Sequence, residues 1–386
     1  MKKCIGKLLM ALVIIISAVM LIEGYSIHAA EGKTVRVSTA KQLKKAIKNE
    51  DVGTIILRTK AYITITIKAD KAAADKFLIV DAAHVNVVNK AVFAGIEIRS
   101  VNKYTESVSG NKISITGYFD DYLDTFTVSK KKQVESLKIT NGSDYYPGYV
   151  LRKGAKVKEL VLVREDAGAP VELSLTAGNK TAKLHIADVY GDYYMDYKIT
   201  IDKYGRISRR VCDFDAAEFR LDYTYKYDSN GNLTSISGRD NEHGKFSDKF
   251  TYSNGNLIKR VDDGFDLLQC DYTYDNKGNK TSEKIHSEYH MDGQTWSVTS
   301  YHEYEYDKNG RLSYESYEQD DDMSEFAYTY DSKGFKIEEF ENNYGLGIST
   351  TFTYNKYGDL VTVKQTADGE TAVMNYKYDK LGNPIN

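Results

Sequence analysis

The sequence predicts an all-β protein: a short coil of stacked parallel strands, opened by a capping helix, followed by an array of about eight antiparallel β-hairpins. Three observations predict it. Through the C-terminal half, a tyrosine-rich motif ending in Asp-x-x-Gly recurs at a near-constant interval, as from Gly310 to Gly334, Gly358 and Gly382. Through the N-terminal half, short apolar stretches recur at a similar interval, centred near Ile56, Leu78, Ile96, Ile113, Leu137, Leu160 and Leu184. Nowhere in the C-terminal half is helical spacing sustained. Units of this size cannot bury a core alone and are stabilised by their neighbours.

The chain begins MKKCIGKLLMALVIIISAVMLIEGYSIHAA: a lysine-bearing start, an apolar run from Leu8 to Ile22 broken only by Ser17, then two alanines. That is the layout of a secretory signal. The run is 15 residues long, short of the roughly 20 that a membrane-spanning helix needs. Residues 1–30 are therefore read as a signal peptide cleaved near Ala30, with an uncleaved anchor as the alternative. Cys4 leaves with the signal. Cys212 and Cys270 are too few for a disulfide framework in a chain this long; they read as two partly buried thiols, a single disulfide between them being the alternative.

Charge divides the remainder near residue 190. Residues 31–190 carry 26 Lys and Arg against 18 Asp and Glu, whereas residues 191–386 carry 23 against 36. The basic half suits anionic partners such as acidic polysaccharides, or simply attracts the acidic half, which argues against nucleic acid. The domains read from this are a coil over 31–190 and a hairpin array over 191–386.

In the first, Ser38 or Thr39 can cap a helix whose Leu43 and Ala46 fall on one face, and Asp51 to Gly53 then releases the chain into a strand. Short extended pieces follow, TIILRT, YITITIK, KFLIVDA, HVNVVN, GIEIRSV, KISITG, LKIT, ELVLV, VELSL and KLHIA, as rungs of a coil would. Over residues 33 to about 189 this pattern resembles the right-handed parallel β-helix of pectate-lyase-like proteins. Many such relatives cleave acidic polysaccharides, with acidic residues that hold calcium and an arginine or lysine as base. The resemblance makes Asp120, Asp121 and Asp124 the candidate acids and Arg152 and Arg164 the candidate bases; the plainer reading of FDDYLD is a loop of solvated acids.

In the second, the motif reads ITIDKYGRI, YKYDSNGNL, FTYSNGNLI, YTYDNKGNK, YEYDKNGRL, YTYDSKGFK, FTYNKYGDL and YKYDKLGNP, with glycines at Gly205, Gly231, Gly255, Gly278, Gly310, Gly334, Gly358 and Gly382. Aromatic residues two apart share one face of a strand. The following Asp, as in Asp228, Asp275, Asp307, Asp331 and Asp379, can accept turn amides, and Gly supplies positive φ. Each glycine is thus expected to mark a chain reversal. Copy three lacks the Asp, and copy four carries an insertion around HMDGQTWS. A cation such as calcium at some turns is the alternative, but the spacing falls short of the ligands a calcium loop needs. His286, His290 and His302 read as separate surface histidines. The tyrosines read as a cross-strand ladder; Tyr314, Tyr317 and Tyr344 are the candidates for an outward platform stacking on sugar rings.

YTYDNKGN, YEYDKNGR and YKYDKLGN resemble the YD repeats of RHS-type bacterial surface and secreted proteins, over roughly residues 191–386. In that family the repeats wind hairpins into an extended sheet or spiral shell, and longer members enclose a toxin cargo. This chain shows no proline- and aspartate-bearing motif of the kind that precedes such cargoes.

The expectation is a secreted, extracellular or surface-associated binding, adhesion or structural repeat protein. It would contact polysaccharide or a surface protein, with no catalytic residue, metal or cofactor assigned and no membrane contact after signal cleavage. The rivals are a polysaccharide lyase or hydrolase seated on the coil, with the hairpins as binding module, and a sheath or spacer within an export assembly.

Overall fold

The structure is a computed structural model. It describes residues 31–116, 125–140, 148–164, 171–178, 180–187, 194–214, 219–240, 244–264, 266–291, 294–320, 322–343 and 345–385. The signal stretch, Asp120, Asp121, Asp124 and Tyr344 lie outside these. The chain forms a β-solenoid of about five turns followed by a long antiparallel sheet of sixteen strands.

The first turn is closed by the expected helix, Ala40–Ile47, whose N-cap is Thr39: its hydroxyl accepts from the Gln42 amide while the Gln42 side chain accepts from the Ser38 amide. Reciprocal bonds of this kind satisfy amides that a helix start leaves unpaired. Leu43, Ala46 and Ile47 are buried against the end of the coil.

On one face of the solenoid the strands Lys33–Val37, Val52–Arg58, Phe77–Asn89, Gly95–Glu106, Lys112–Ile115, Gln133–Thr140 and Lys156–Arg164 pair in parallel in that order. Their register stacks like on like. Ile55, Leu78, Ile96, Ile113, Leu137 and Leu160 form one buried aliphatic column, and Leu57, Val80, Ile98, Ile115, Ile139 and Leu162 form the next. A second face stacks Ile63–Ile67, the far ends of Phe77–Asn89 and Gly95–Glu106, then Phe126–Val128 and Val150–Leu151. The two long strands serve both faces because their register slips between Val80 and Asn86, where the chain turns the corner.

The coil ends by folding back. Val171–Thr176 pairs antiparallel with Lys156–Arg164, and Thr181–Ala187, which contains KLHIA, pairs antiparallel with Tyr194–Ile201. VELSL and KLHIA are therefore antiparallel strands, not parallel rungs.

From Thr181–Ala187 to Glu370–Asn375 every strand pairs antiparallel with its sequence neighbour. The motif turns explain why. In Asp228, Asp275, Asp307, Asp331 and Asp379, carboxylate Oδ1 accepts the amides two and four residues on. The glycine amide closes the turn on the Asp carbonyl, and the glycine itself, φ 85° at Gly278, takes the left-handed conformation that a Cβ disfavours. Copy three, without the Asp, uses a tighter two-residue turn with Asn254 at φ 52° and Gly255 at φ 87°.

The second motif tyrosine has its own task. Tyr227, Tyr274, Tyr306, Tyr330 and Tyr354 donate their hydroxyls to the carbonyls of Ile207, Leu257, Lys280, Leu312 and Lys336. Each of these carbonyls lies two residues past an earlier turn glycine, so tyrosine, not phenylalanine, ties one repeat to another.

The sheet is fastened to the solenoid by its turns. Early turns meet the last rungs: the Val157 amide donates to Tyr204 O, the Tyr149 hydroxyl to Gly205 O, and Arg152 to Asn232. Late turns meet the first rungs: the Tyr62 amide donates to Gly334 O, Arg36 pairs with Asp359, and Arg58 donates to Leu381 O. Methyl groups placed on Gly255 and Gly310 would meet nothing within 4 Å, and one on Gly278 only Asn256.

Candidate binding groove

The two edges that meet at these fastenings differ in length. Four ladder steps, Val150 to Thr127, Thr105, Val88 and Thr66, separate the rungs that hold the Gly231 and Gly334 turns; at about 4.8 Å per step that is about 19 Å. Eight strand spacings separate the same turns within the sheet, about 38 Å at the same step. The sheet edge must bow away from the coil, and the turns at Gly255, Gly278 and Gly310 span the bow.

Beside the Gly231 fastening, on the coil's second face, lies an open groove of about 660 Å³. Four cations line it: Lys103, Lys130, Arg152 and Lys153. Thr105, Thr127 and Ser129 present hydroxyls, and Asn230 closes one side from the docked turn. Among the described residues no carboxylate contributes to the lining. Thr105 and Thr127 are register partners on successive rungs, and the Lys131 amide bonds the Lys153 carbonyl across one turn of coil, so basic positions recur along the groove at the rung spacing. Arg152 is oriented by its bond to Asn232, and Ser129 by its bond to Ser107, 2.8 Å.

Directly inside the wall, Glu106 is fully buried. It accepts from Asn89, Asn111, the Tyr104 hydroxyl and the Val108 amide. Burial pushes its carboxyl up to about 7 against the pull of those donors. It faces the core, so the groove itself carries positive charge and hydroxyl donors, which is the chemistry of anion recognition.

The residues singled out from sequence are scattered. Arg152 is in the groove, whereas Arg164 lies over the Tyr197 ring, 5.5 Å from its centroid. Tyr314 and Tyr317 are three apart on the strand Leu312–Gln319 and hence on opposite faces. Both are half-buried, and their hydroxyls donate to Glu325 and Gln319. These two rings do not share one platform. The turn aspartates are engaged by their own turns, as in Asp275, whose Oδ2 also accepts from Asn279, 2.8 Å. That engagement, led by the Asn279 amide, holds its carboxyl below the usual range. His286 contacts Thr299 and Glu288, His290 contacts Thr295, and His302 packs on Tyr304 and Tyr317. Among the described residues no three His, Cys, Asp or Glu side chains cluster to hold a metal. Cys212 and Cys270 are separate buried thiols.

Lys103, Lys130 and Lys153 were not singled out by sequence reading. Their signal was the basic excess of the first half together with a one-turn spacing of lysines.

No family model matches the chain, and no curated protein sequence does. Among solved structures, TcdB2-TccC3-TEV is similar at 13% identity with a TM-score of 0.21, covering 59% of this chain and 18% of that one. A porin-like protein from Bacteroides uniformis is similar at 12% identity with a TM-score of 0.24, covering 50% of this chain and 91% of that one. The first match thus spans about a fifth of its counterpart's length. At these scores neither likeness bears on function. What fold and groove together define is a β-solenoid strapped by its own antiparallel sheet, with a cationic, hydroxyl-lined groove on one coil face.

Proposed function

We propose that this is a secreted, extracellular or surface-associated binding protein that holds an acidic polysaccharide in the groove and catalyses no reaction. The observation that carries the reading is the set of four cations around three hydroxyls with no carboxylate among the described lining residues. A polymer with one anionic group per sugar repeats its charge along a line, as do lysines on successive rungs. In this reading the coil is of the pectate-lyase-like type and the sheet is an array of YD-type hairpins serving as a strap. The tyrosine hydroxyls are spent on backbone carbonyls and on strand glutamates, and the turn carboxylates on their own turn amides, which favours scaffold over chemistry.

The test is retention on immobilised polygalacturonate and alginate against neutral glucan. The expected result is binding to the acidic polymers that weakens steeply with salt, and about tenfold weaker binding for Lys130→Glu and for Lys153→Glu. Equal retention on neutral polymer, or no change in either variant, removes the proposal. The lyase alternative is measured in the same samples: accumulation of unsaturated uronate products, lost in Arg152→Ala, would replace binding by cleavage.

A further inference from the structure

The longest hairpin of the sheet carries a feature that the groove does not use. Of the intervals between successive turn glycines, that from Gly278 to Gly310 is the longest. The additional residues lengthen two paired strands, Lys280–Met291 and Gln294–Tyr306. Their neighbours stop short: Leu267–Tyr274 begins opposite Glu288, and Leu312–Gln319 ends opposite Ser300. Beyond those points the two strands pair only with each other, overhanging by three residues on one side and six on the other, about 10 and 20 Å at the rise of a strand.

On this overhang Tyr289 and Trp296 are directly opposed across the ladder. Trp296 is 57% exposed and Tyr289 47%. Trp296 is also the chain's single tryptophan. Leaving two large rings in water is unfavourable unless something covers them. The overhang is held in place: the His290 amide donates to Asp266, 3.2 Å, and the His290 ring contacts the Thr295 hydroxyl, 3.1 Å. On the face of the two rings the flanking positions are Ser287 and Val298, one register pair inward, and Gln294 toward the hairpin end, whereas Thr295, Ser297 and Thr299 lie on the opposite face.

We propose that Trp296 and Tyr289 form a stacking site for the apolar faces of neutral pyranose rings in a polysaccharide. The size of the patch selects that occupant. Two rings exposed by about half offer on the order of 200 Å², whereas a stable protein partner covers about 800 Å² on each side. One or two sugar rings match the smaller figure, and two opposed aromatic rings with Ser287 and Gln294 on the same face suit a ligand whose faces are apolar and whose edges hydrogen-bond. The site is independent of the cationic groove and differs from it in being uncharged.

Because the chain has one tryptophan, its fluorescence reads this site directly. Titration of the full mature chain with cello-, xylo- and chito-hexasaccharides is expected to give a saturable shift of tryptophan emission for at least one of them, unchanged between low and high salt. Tyr289→Ala weakens that response about tenfold. Trp296→Ala abolishes retention on the matching insoluble polymer, and Trp296→Phe retains it. Lys130→Glu leaves the response intact, so loss of the groove and loss of this site are separable. No emission change with any of the three sugars, or a shift that follows protein concentration alone and so reports a second copy seated on the pair, overturns the proposal.

Discussion

Arg36, on the first strand of the coil, and Asp359, just past a late turn of the sheet, meet in a two-point ion pair although 323 residues separate them. Both side chains are almost fully excluded from water, at 5% and 6% exposure. Burial raises the carboxyl of Asp359, but the bonds from Arg36 and Asn355 outweigh it and hold the group below its usual range. Removing one partner leaves the other as an uncompensated buried charge. Arg36→Met is therefore expected to lower stability by about 3–5 kcal/mol, and adding Asp359→Leu to recover most of that loss. Urea unfolding of the two variants checks this; equal stability of the single and double variants would contradict it. Since the Asp359 carboxyl is depressed, the stability it contributes is lost as pH falls through its folded value.

Turn glycines should differ according to where their turns sit. A methyl group on Gly231 would lie 1.7 Å from the Leu151 carbonyl oxygen, and φ there is 91°. At Gly310, with φ 77°, it would meet nothing within 4 Å. Gly310→Ala carries only the conformational penalty, about 1–2 kcal/mol, whereas Gly231→Ala must also unseat the fastening. Thermal melts are expected to show a modest shift for the first and a several-fold larger one for the second.

The tyrosine ladder predicts one loss and one gain. Tyr330→Phe deletes the hydroxyl that donates to Leu312 O, 2.8 Å, and is expected to lower stability by about 1 kcal/mol. The first motif tyrosines form a second ladder, Tyr304 donating to Glu283 and Tyr328 to Glu315. Phe352 occupies the equivalent place beside Glu339 in register but has no hydroxyl. Phe352→Tyr is expected to add about the same amount, read by the urea midpoint.

Two buried groups give opposite pH dependences. His84 stacks on Tyr62 at 4.2 Å, and burial, with Lys60 and Lys336 nearby, lowers its value from 6.5 to about 4. The unfolded chain binds that proton more readily, so stability falls as pH drops from 6.5 toward 4. Glu106 is raised by burial from 4.5 to about 7, so its stabilising share is full below 4.5 and is lost as pH rises through 7. Relative to the parent, His84→Gln is expected to flatten the acidic limb of a stability–pH profile and Glu106→Gln the limb toward neutrality. Unchanged slopes in both variants would contradict these assignments.

Much of this architecture is legible in the sequence, because its signals are local and repeated. Tyr-x-Tyr alternation sets a strand face, Asp and Gly set a turn, and Thr39 with Leu43 and Ala46 sets a helix end. What the sequence does not show is long-range register. That Gly231 seats on Leu151 and Gly334 on Tyr62 depends on how a sixteen-stranded sheet curves, which no window of residues contains. The same gap hides the groove: Lys103, Lys130 and Lys153 look like ordinary surface lysines until the coil stacks them. It also hides side-chain direction: Tyr314 and Tyr317 look adjacent in the text while period two sends them to opposite faces, and Trp296 reads only as part of an insertion.

The unfastened span has an evolutionary corollary. The interval between turn glycines that departs most from the common repeat length is that between Gly278 and Gly310, within the stretch whose turn glycines have no coil atom within 4 Å of where a Cβ would sit. Elsewhere an added residue would throw a turn off its seat. Here the chain can gain or lose length without disturbing any anchorage, which makes this hairpin the place where new recognition loops can be acquired at least risk to folding.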